Sequence, residues 1–144
     1  MNSAKNFEIF DRKIKDSFAR QDMMSTLGAE LVSVKRGKVV IAAPILAEMR
    51  QQHGFAHAAV SFALGDSAAG YAALSVMALN DEVVTAEMKI NLLAPAAGER
   101  LEAKGRVIRA GRRLLVVGAT VVAIKGDRRT DVAVLQGTMV PVNA

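Results

Sequence analysis

Residues 58–79 read AAVSFALGDSAAGYAALSVMAL, and Asp66 is the only charged side chain in that stretch. As an α-helix its 22 residues would span about 33 Å. A helix that is apolar on nearly every side must be surrounded by protein or by lipid. A membrane span needs about 20 apolar residues. This stretch is built from alanine and from Ser61, Gly65, Ser67, Gly70 and Ser75, which makes it only weakly hydrophobic. A mid-span aspartate would add a cost of roughly 2.5–3.5 kcal/mol. The stretch therefore reads as a helix sunk inside a soluble protein.

On either side of it the pattern changes. Val83–Leu93 reads as a strand stopped by Pro95. Leu101, Ala103, Gly105 and Val107 then alternate with Glu102, Lys104, Arg106 and Ile108. Gly111-Arg112-Arg113 is a turn, Leu114–Ile124 a long apolar strand, Gly126-Asp127-Arg128 a second turn, and Asp131–Val140 a final strand. Upstream, Phe7, Phe10, Ile14 and Phe18 lie at helical spacing within residues 3–21, with Ser3 as the expected N-cap. Leu27-Gly28 leads into a strand at Ala29–Val34, which turns at Arg36-Gly37-Lys38 into Val39–Ala43, stopped by Pro44. Short turns make consecutive strands antiparallel. The predicted class is α+β: one antiparallel sheet wrapped around a central helix, with an extra N-terminal helix. A single sheet leaves part of that helix uncovered, which points to a dimer.

Composition narrows the function. The chain has 144 residues, 51% of them hydrophobic and 23% charged, so one domain (residues 1–144) with a real core is expected. It has no cysteine, which excludes disulfides, a thiolate nucleophile and cysteine-based metal sites. With 4% aromatics and no tryptophan it lacks base-stacking platforms, so no nucleic-acid partner is expected. The net charge of +5 is modest. The N-terminus has no apolar core after a basic start, so a cytoplasmic protein with no membrane partner is expected.

The chemistry centres on Asp66. A carboxylate in a buried helix either finds a structural partner such as an arginine or serves as a base or nucleophile in a partly apolar cleft. Directly upstream, residues 50–60 read RQQHGFAHAAV. The first N–H groups of a helix have no partner within it and carry the positive end of its dipole. With only Ala58 and Ala59 there, a substrate oxygen could approach those amides as in an oxyanion hole. Alternatively, Gly54 makes an ordinary turn and His53 and His57 are surface residues. The i, i+4 spacing of the two histidines lacks a third ligand or an H-E-x-x-H pattern, so no metal is expected. No G-x-S-x-G or phosphate-binding glycine loop occurs. Arg106, Arg109, Arg112, Arg113, Lys125, Arg128 and Arg129 form either a solvated face or a landing site for an anionic ligand.

Two segments together, QQHGFAHAAVSFALGDSAAGYAA (51–73) and TAEMKINLLAPAAGERLEAKGRVIRAGRRL (85–114), resemble the hotdog-fold acyl-CoA thioesterases of the phenylacetate-degradation (PaaI) type. That family shows an Asn or Gln, a Gly, a His-Gly-Gly, and an Asp nine residues after the His. Gln51, Gly54, His57 and Asp66 stand at those places, and Thr85 to Pro95 matches the strand that follows. The resemblance covers roughly residues 22–141, leaving 1–21 as an added helix. His-Gly-Gly is here His57-Ala58-Ala59, whose methyl groups narrow the approach to the thioester.

The resemblance implies a hydrolase for aryl- or medium-chain acyl-CoA. Asp66 would be base or nucleophile, the Ala58 or Ala59 amide the carbonyl-polarising donor, Gln51 a holder of thioester or water, and Thr85 the group orienting that water. His57 would support its loop. It also implies a homodimer or homotetramer whose active sites lie at the dimer interface, with Gln51, His57 and the two amides of one subunit facing Asp66 and Thr85 of the other. No cofactor is implied, coenzyme A being part of the substrate. Its phosphates would meet Arg112 and Arg113, or else Arg128 and Arg129. Gly54, Phe62 and Tyr71, with Met23 and Met24, would shape the substrate pocket unless they are plain core. Two alternatives keep the fold: a non-catalytic CoA-ester binder, and a dehydratase or acyl-carrier-protein thioesterase.

Overall fold

A computed structural model describes residues 3–143, with side chains from residue 6 onward. Helix α1 (Ser3–Ala19) and the short α2 (Asp22–Thr26) precede a hairpin of β1 (Glu30–Lys35) and β2 (Lys38–Pro44). A single 3₁₀ turn at Ala47–Met49 leads to α3 (Ala58–Leu74), and β3 (Asp81–Leu92), β4 (Arg100–Ala110), β5 (Leu115–Lys125) and β6 (Arg128–Asn143) follow. All pairings among the described strands are antiparallel, and the sheet order is β1-β2-β4-β5-β6-β3. This is the helix-wrapped sheet that the sequence and the resemblance both indicate. The expected Ser3 cap involves a side chain outside the described residues.

Small residues let α3 sit almost on the sheet itself. A Cβ added to Gly105 of β4 would lie 2.2 Å from the Ala68 carbonyl, and one added to Gly65 would lie 2.8 Å from the Leu135 side chain. Leu64, Ala68, Ala69, Ala72, Ala73 and Leu74 are fully buried against Leu101, Ala103, Val117, Ala119 and Val121 of β4 and β5. The helix is shorter than the 22 apolar residues suggest and ends at Leu74. Ser75 explains the stop: its hydroxyl donates to the Ala72 carbonyl at 2.7 Å and accepts from the Gly37 amide at 2.7 Å, tying the helix end to the β1–β2 turn.

Toward its N-terminus α3 keeps an open stripe of Ala59, Phe62, Ala63, Asp66 and Ser67, none of them fully buried. Over its C-terminal part α1 supplies the cover. Ile14 is fully buried, the Phe18 ring meets Tyr71 edge-on at 6.2 Å, and Lys13 reaches the carbonyls of Leu79 (3.0 Å) and Asp81 and the Glu82 carboxylate (3.2 Å).

β3 is an edge strand that carries an extra residue. Thr85 faces Met139 and Glu87 faces Thr138, so Ala86 is bulged out of the ladder. Val83 lies on the helix side before the bulge, and Met88 and Ile90 after it. The bulge thus changes which alternate residues face inward and keeps Glu87 and Lys89 off the core.

If the helix is seated this closely, Gly105→Ala should destabilise by about 2–3 kcal/mol, since neither backbone can yield. Gly54→Ala, at φ 84° but with nothing within 4 Å of the new methyl, should cost about 1 kcal/mol. Urea unfolding of both variants measures the difference.

Candidate active site

Asp66 lies mid-helix on the open stripe of α3, half-buried, and Thr85 of β3 donates to its Oδ1 at 2.8 Å. Thr85 lies two residues after Val83 and shares its helix-facing side of β3, just before the bulge. Burial pushes the Asp66 carboxyl above its ordinary range, and the Thr85 hydrogen bond pulls it partly back. Asp66 and Thr85 open onto a cavity of about 210 Å³ that runs along α3 past Ser67, Gly70 and Tyr71 to Leu74, with Ser17, Gln21 and Glu82 across from it.

The start of the helix forms a second group. His57 is the N-cap of α3, and its Nδ1 accepts from the Ala59 amide at 2.9 Å. The Val60 amide is taken by the His57 carbonyl at 2.9 Å. Of the two amides singled out in the sequence, Ala59 is therefore occupied, and Ala58 has no acceptor among the described residues. Gln51 lies beside it in a tight loop: its amide bonds the Phe55 carbonyl at 2.8 Å, its carbonyl accepts from Gly54 at 3.0 Å, and its side-chain oxygen accepts from the His53 amide. The Gln51 side-chain NH2 has no acceptor among the described residues. Gly54, at φ 84°, makes the turn and lines neither cavity, while exposed His53 caps nothing. Gln51, Phe55, His57, Ala58 and Ser61 border a cavity of about 560 Å³ with Leu92–Ala96.

The two groups do not meet within one chain. Ala58 and Asp66 are eight residues apart on a single helix, an axial separation of about 12 Å. One chain thus presents two separate groups, each bordered by exposed surface.

The remaining candidates spread out. Phe62 is half-buried one turn before Asp66 and lines neither cavity, whereas Tyr71 lines the Asp66 cavity. Met24 is core at 2% exposure and Met23 is 56% exposed, so neither forms a pocket wall. Arg112 and Arg113 lie exposed at the β4–β5 turn, while Arg128 and Arg129 begin β6 at the opposite end of the sheet. Arg129 is paired with Glu102 at 2.8 Å. Arg128 joins Lys125 in a hollow of about 320 Å³ that shares Phe55, Ala94 and Pro95 with the helix-start cavity. Ser17, Gln21 and Glu82 went unnoticed in the sequence, because nothing local in residues 17–21 shows that α1 folds back over α3. A hollow of about 610 Å³ beside Glu8, Arg12, Asp16 and Arg20 on α1 touches none of these residues. Among the described residues no acid, histidine or cysteine cluster could hold a metal, and no helix is long and apolar enough to cross a membrane.

Residues 53–129, more than half of the chain, match the family model described as "Thioesterase superfamily". The chain belongs to the thioesterase superfamily. Among solved structures it is similar to a thioesterase family protein from Silicibacter pomeroyi, at 38% identity and TM-score 0.92, covering 94% of this chain and 99% of that one. The PaaI protein of the E. coli phenylacetic acid degradation operon has the same fold (TM-score 0.85, 22% identity, 95% and 96% coverage). A 1,4-dihydroxy-2-naphthoyl-CoA hydrolase of Listeria monocytogenes is 26% identical over 121 residues, covering 74% of this chain and 98% of that protein. The family match includes His57, all of α3 and Thr85, and begins two residues after Gln51.

Thr85→Val removes the bond that favours the ionised carboxylate, so the Asp66 pKa should rise further, and Thr85→Ser should restore it. Carboxyl-carbon NMR titration reads the shift directly. Because the native pKa lies above the unfolded one, the folded state keeps its proton to higher pH. Stability from this group is therefore present at low pH and declines as pH rises through the native value.

Proposed function

We propose that this superfamily member is a cytoplasmic acyl-CoA thioesterase, acting on aryl or medium-chain esters at a site completed by a second copy of the chain. The observation that carries the reading is the half-buried Asp66 carboxylate, hydrogen-bonded by Thr85 at the mouth of a cavity. An unpartnered Ala58 amide at the start of the same helix lies about 12 Å away along the axis. In a two-fold dimer the helix start of one copy can face Asp66 of the other. Two surfaces support such an assembly: the open stripe of α3 around Asp66, and the edge of β3, twelve residues long, with Val84 and Leu92 exposed. An unpaired edge of that length is a template for another strand.

At the completed site the thioester oxygen accepts from the Ala58 amide, at the positive end of the α3 dipole. The Gln51 side-chain NH2 holds the ester or the water. Asp66 either removes a proton from the attacking water, oriented by Thr85, or adds to the carbonyl carbon to give an acyl–Asp66 anhydride that water then hydrolyses. Either way the carbon–sulfur bond breaks, the thiolate takes up a proton, and free acid and coenzyme A leave. His57 acts through the helix cap it forms with Ala59. Coenzyme A phosphates fall to Arg128 with Lys125, whose hollow continues from the helix-start cavity, with exposed Arg112 and Arg113 as the second pair. Arg129, held by Glu102, has less to offer. The chemistry asks for no metal or redox cofactor.

Thiol release from a panel of acyl-CoA esters tests the activity. Asp66→Asn should lose at least about a hundredfold in kcat while unfolding no more easily than the wild type at pH 7, since the buried charge is gone. Binding without turnover by the wild type would instead favour a CoA-ester carrier.

Ala58→Pro tests the amide alone. It deletes the N–H at the first helical position, where proline is well tolerated, and His57 at φ −59°, ψ 143° already has the backbone that precedes a proline. A loss of about 10²–10³ in kcat is expected. Mixing Asp66→Asn with Ala58→Pro chains should restore activity to about a quarter of wild type if each site draws on two copies, because half of randomly exchanged dimers carry one intact site. No recovery after subunit exchange would place the whole site in one chain.

A further inference from the structure

The far end of the Asp66 cavity is built to be polar. Tyr71 is 4% exposed, yet its hydroxyl is not simply covered: Gln21 Nε2 donates to it at 2.7 Å, and Ser17 Oγ lies 3.1 Å from it. Ser17 and Tyr71 share one hydrogen between them, so this relay ends in one hydroxyl hydrogen with no acceptor among the described residues, whichever of the two donates. Ser17, Gln21 and Tyr71 all line the cavity, and the Glu82 carboxylate, held by Lys13 at 3.2 Å, lines it too. A purely structural cover for the end of α3 would need only Phe18 and Ile14. The three added polar groups face a space that opens at its other end on Asp66.

Resting on the thioesterase reading above, we propose that Ser17, Gln21 and Tyr71 determine acyl specificity, by receiving an uncharged oxygen at the far end of a compact acyl group whose carbonyl lies at Asp66. The cavity runs along α3 from Asp66 to Leu74, about 12 Å of helix. Its volume of about 210 Å³ compares with the roughly 150 Å³ that accommodates benzene in an engineered core. One ring or a short chain therefore fits. The free hydroxyl of the relay donates to the tail oxygen, and Gln21 Oε1 and Glu82 can accept if that oxygen carries hydrogen. An apolar tail would leave these groups dry and unpaired, which is the arrangement that discriminates most strongly between analogues. Glu82 also opposes a tail that ends in a carboxylate.

The experiment compares matched esters that differ by one oxygen: benzoyl- with 4-hydroxybenzoyl-CoA, and butanoyl- with 3-hydroxybutanoyl-CoA, with terephthaloyl-CoA as the acid-ended member. In at least one pair the oxygenated ester should have a kcat/KM at least about tenfold higher, and the acid-ended ester should be poor. In Tyr71→Phe and in Gln21→Leu that ratio should fall to about one. The ratio separates specificity from damage, because a variant that merely loosens the fold lowers both esters together. Circular dichroism checks that each variant is folded, and Gln21 is only half-buried, so its replacement serves if the Tyr71 variant fails to fold. Turnover with equal rates for both members of each pair, or a ratio unmoved in the variants, overturns the specificity assignment alone. Absence of turnover with every ester overturns the thioesterase reading, and this assignment with it.

Discussion

The close seating of α3 on β4 governs the rest of the molecule. At Gly105 and Ala68 two backbones touch with no side chain between them, and at Gly65 the Leu135 side chain rests directly on the helix backbone. Contact at that range requires the helix to be made of alanine, glycine and serine, and such a helix brings little hydrophobic area of its own. Its stability has to come from the sheet that curls around it. Because an antiparallel sheet of six strands covers one side only, the opposite stripe stays open, and the one carboxylate of the helix lies on that stripe. The tight packing and the reactive group are two results of one choice of residues.

Much of this was legible in the chain. Helix spacing at Phe7, Phe10, Ile14 and Phe18, the alternation from Leu101 to Val107 and the turns at Gly37, Gly111 and Gly126 each locate an element to within a few residues. What escaped is governed by distant partners. The end of α3 at Leu74 depends on a hydroxyl bonded to a turn 38 residues earlier, whereas residues 75–79 stay as apolar as the helix before them. The α2 helix and the 3₁₀ turn are too short to show a period. The placement of β3 beside β6 instead of β4 follows from how the sheet closes around the helix, which no local pattern records.

The site was legible in a similar proportion. Asp66 stands out as a lone charge in an apolar helix, and Thr85 as a polar residue of a strand, but their meeting depends on how β3 is laid against α3, and a bulge at Ala86 follows the threonine. That bulge leaves a trace: inward residues fall at 83, then at 88 and 90, a change of parity that a strict period of two cannot absorb. At the helix start the sequence offered two equivalent alanine amides. His57 separates them by taking one as its capping partner, a distinction set by a side-chain torsion and invisible to spacing. The wall supplied by α1 came from farthest away, since Ser17 and Tyr71 are 54 residues apart.

The sheet order also sets a timetable for synthesis. A chain emerges from the ribosome N-terminus first, and β3 has no hydrogen-bonded neighbour in the sheet other than β6. Thr85 pairs opposite Met139, so it has no cross-strand partner until a further 54 residues have been made. Through that interval α3 can already rest on β2, β4 and β5, with Asp66 in place but without its hydroxyl partner. Within the sheet the threonine is anchored by the sixth strand alone, so the last strand made is the one that fixes its hydroxyl against the carboxylate.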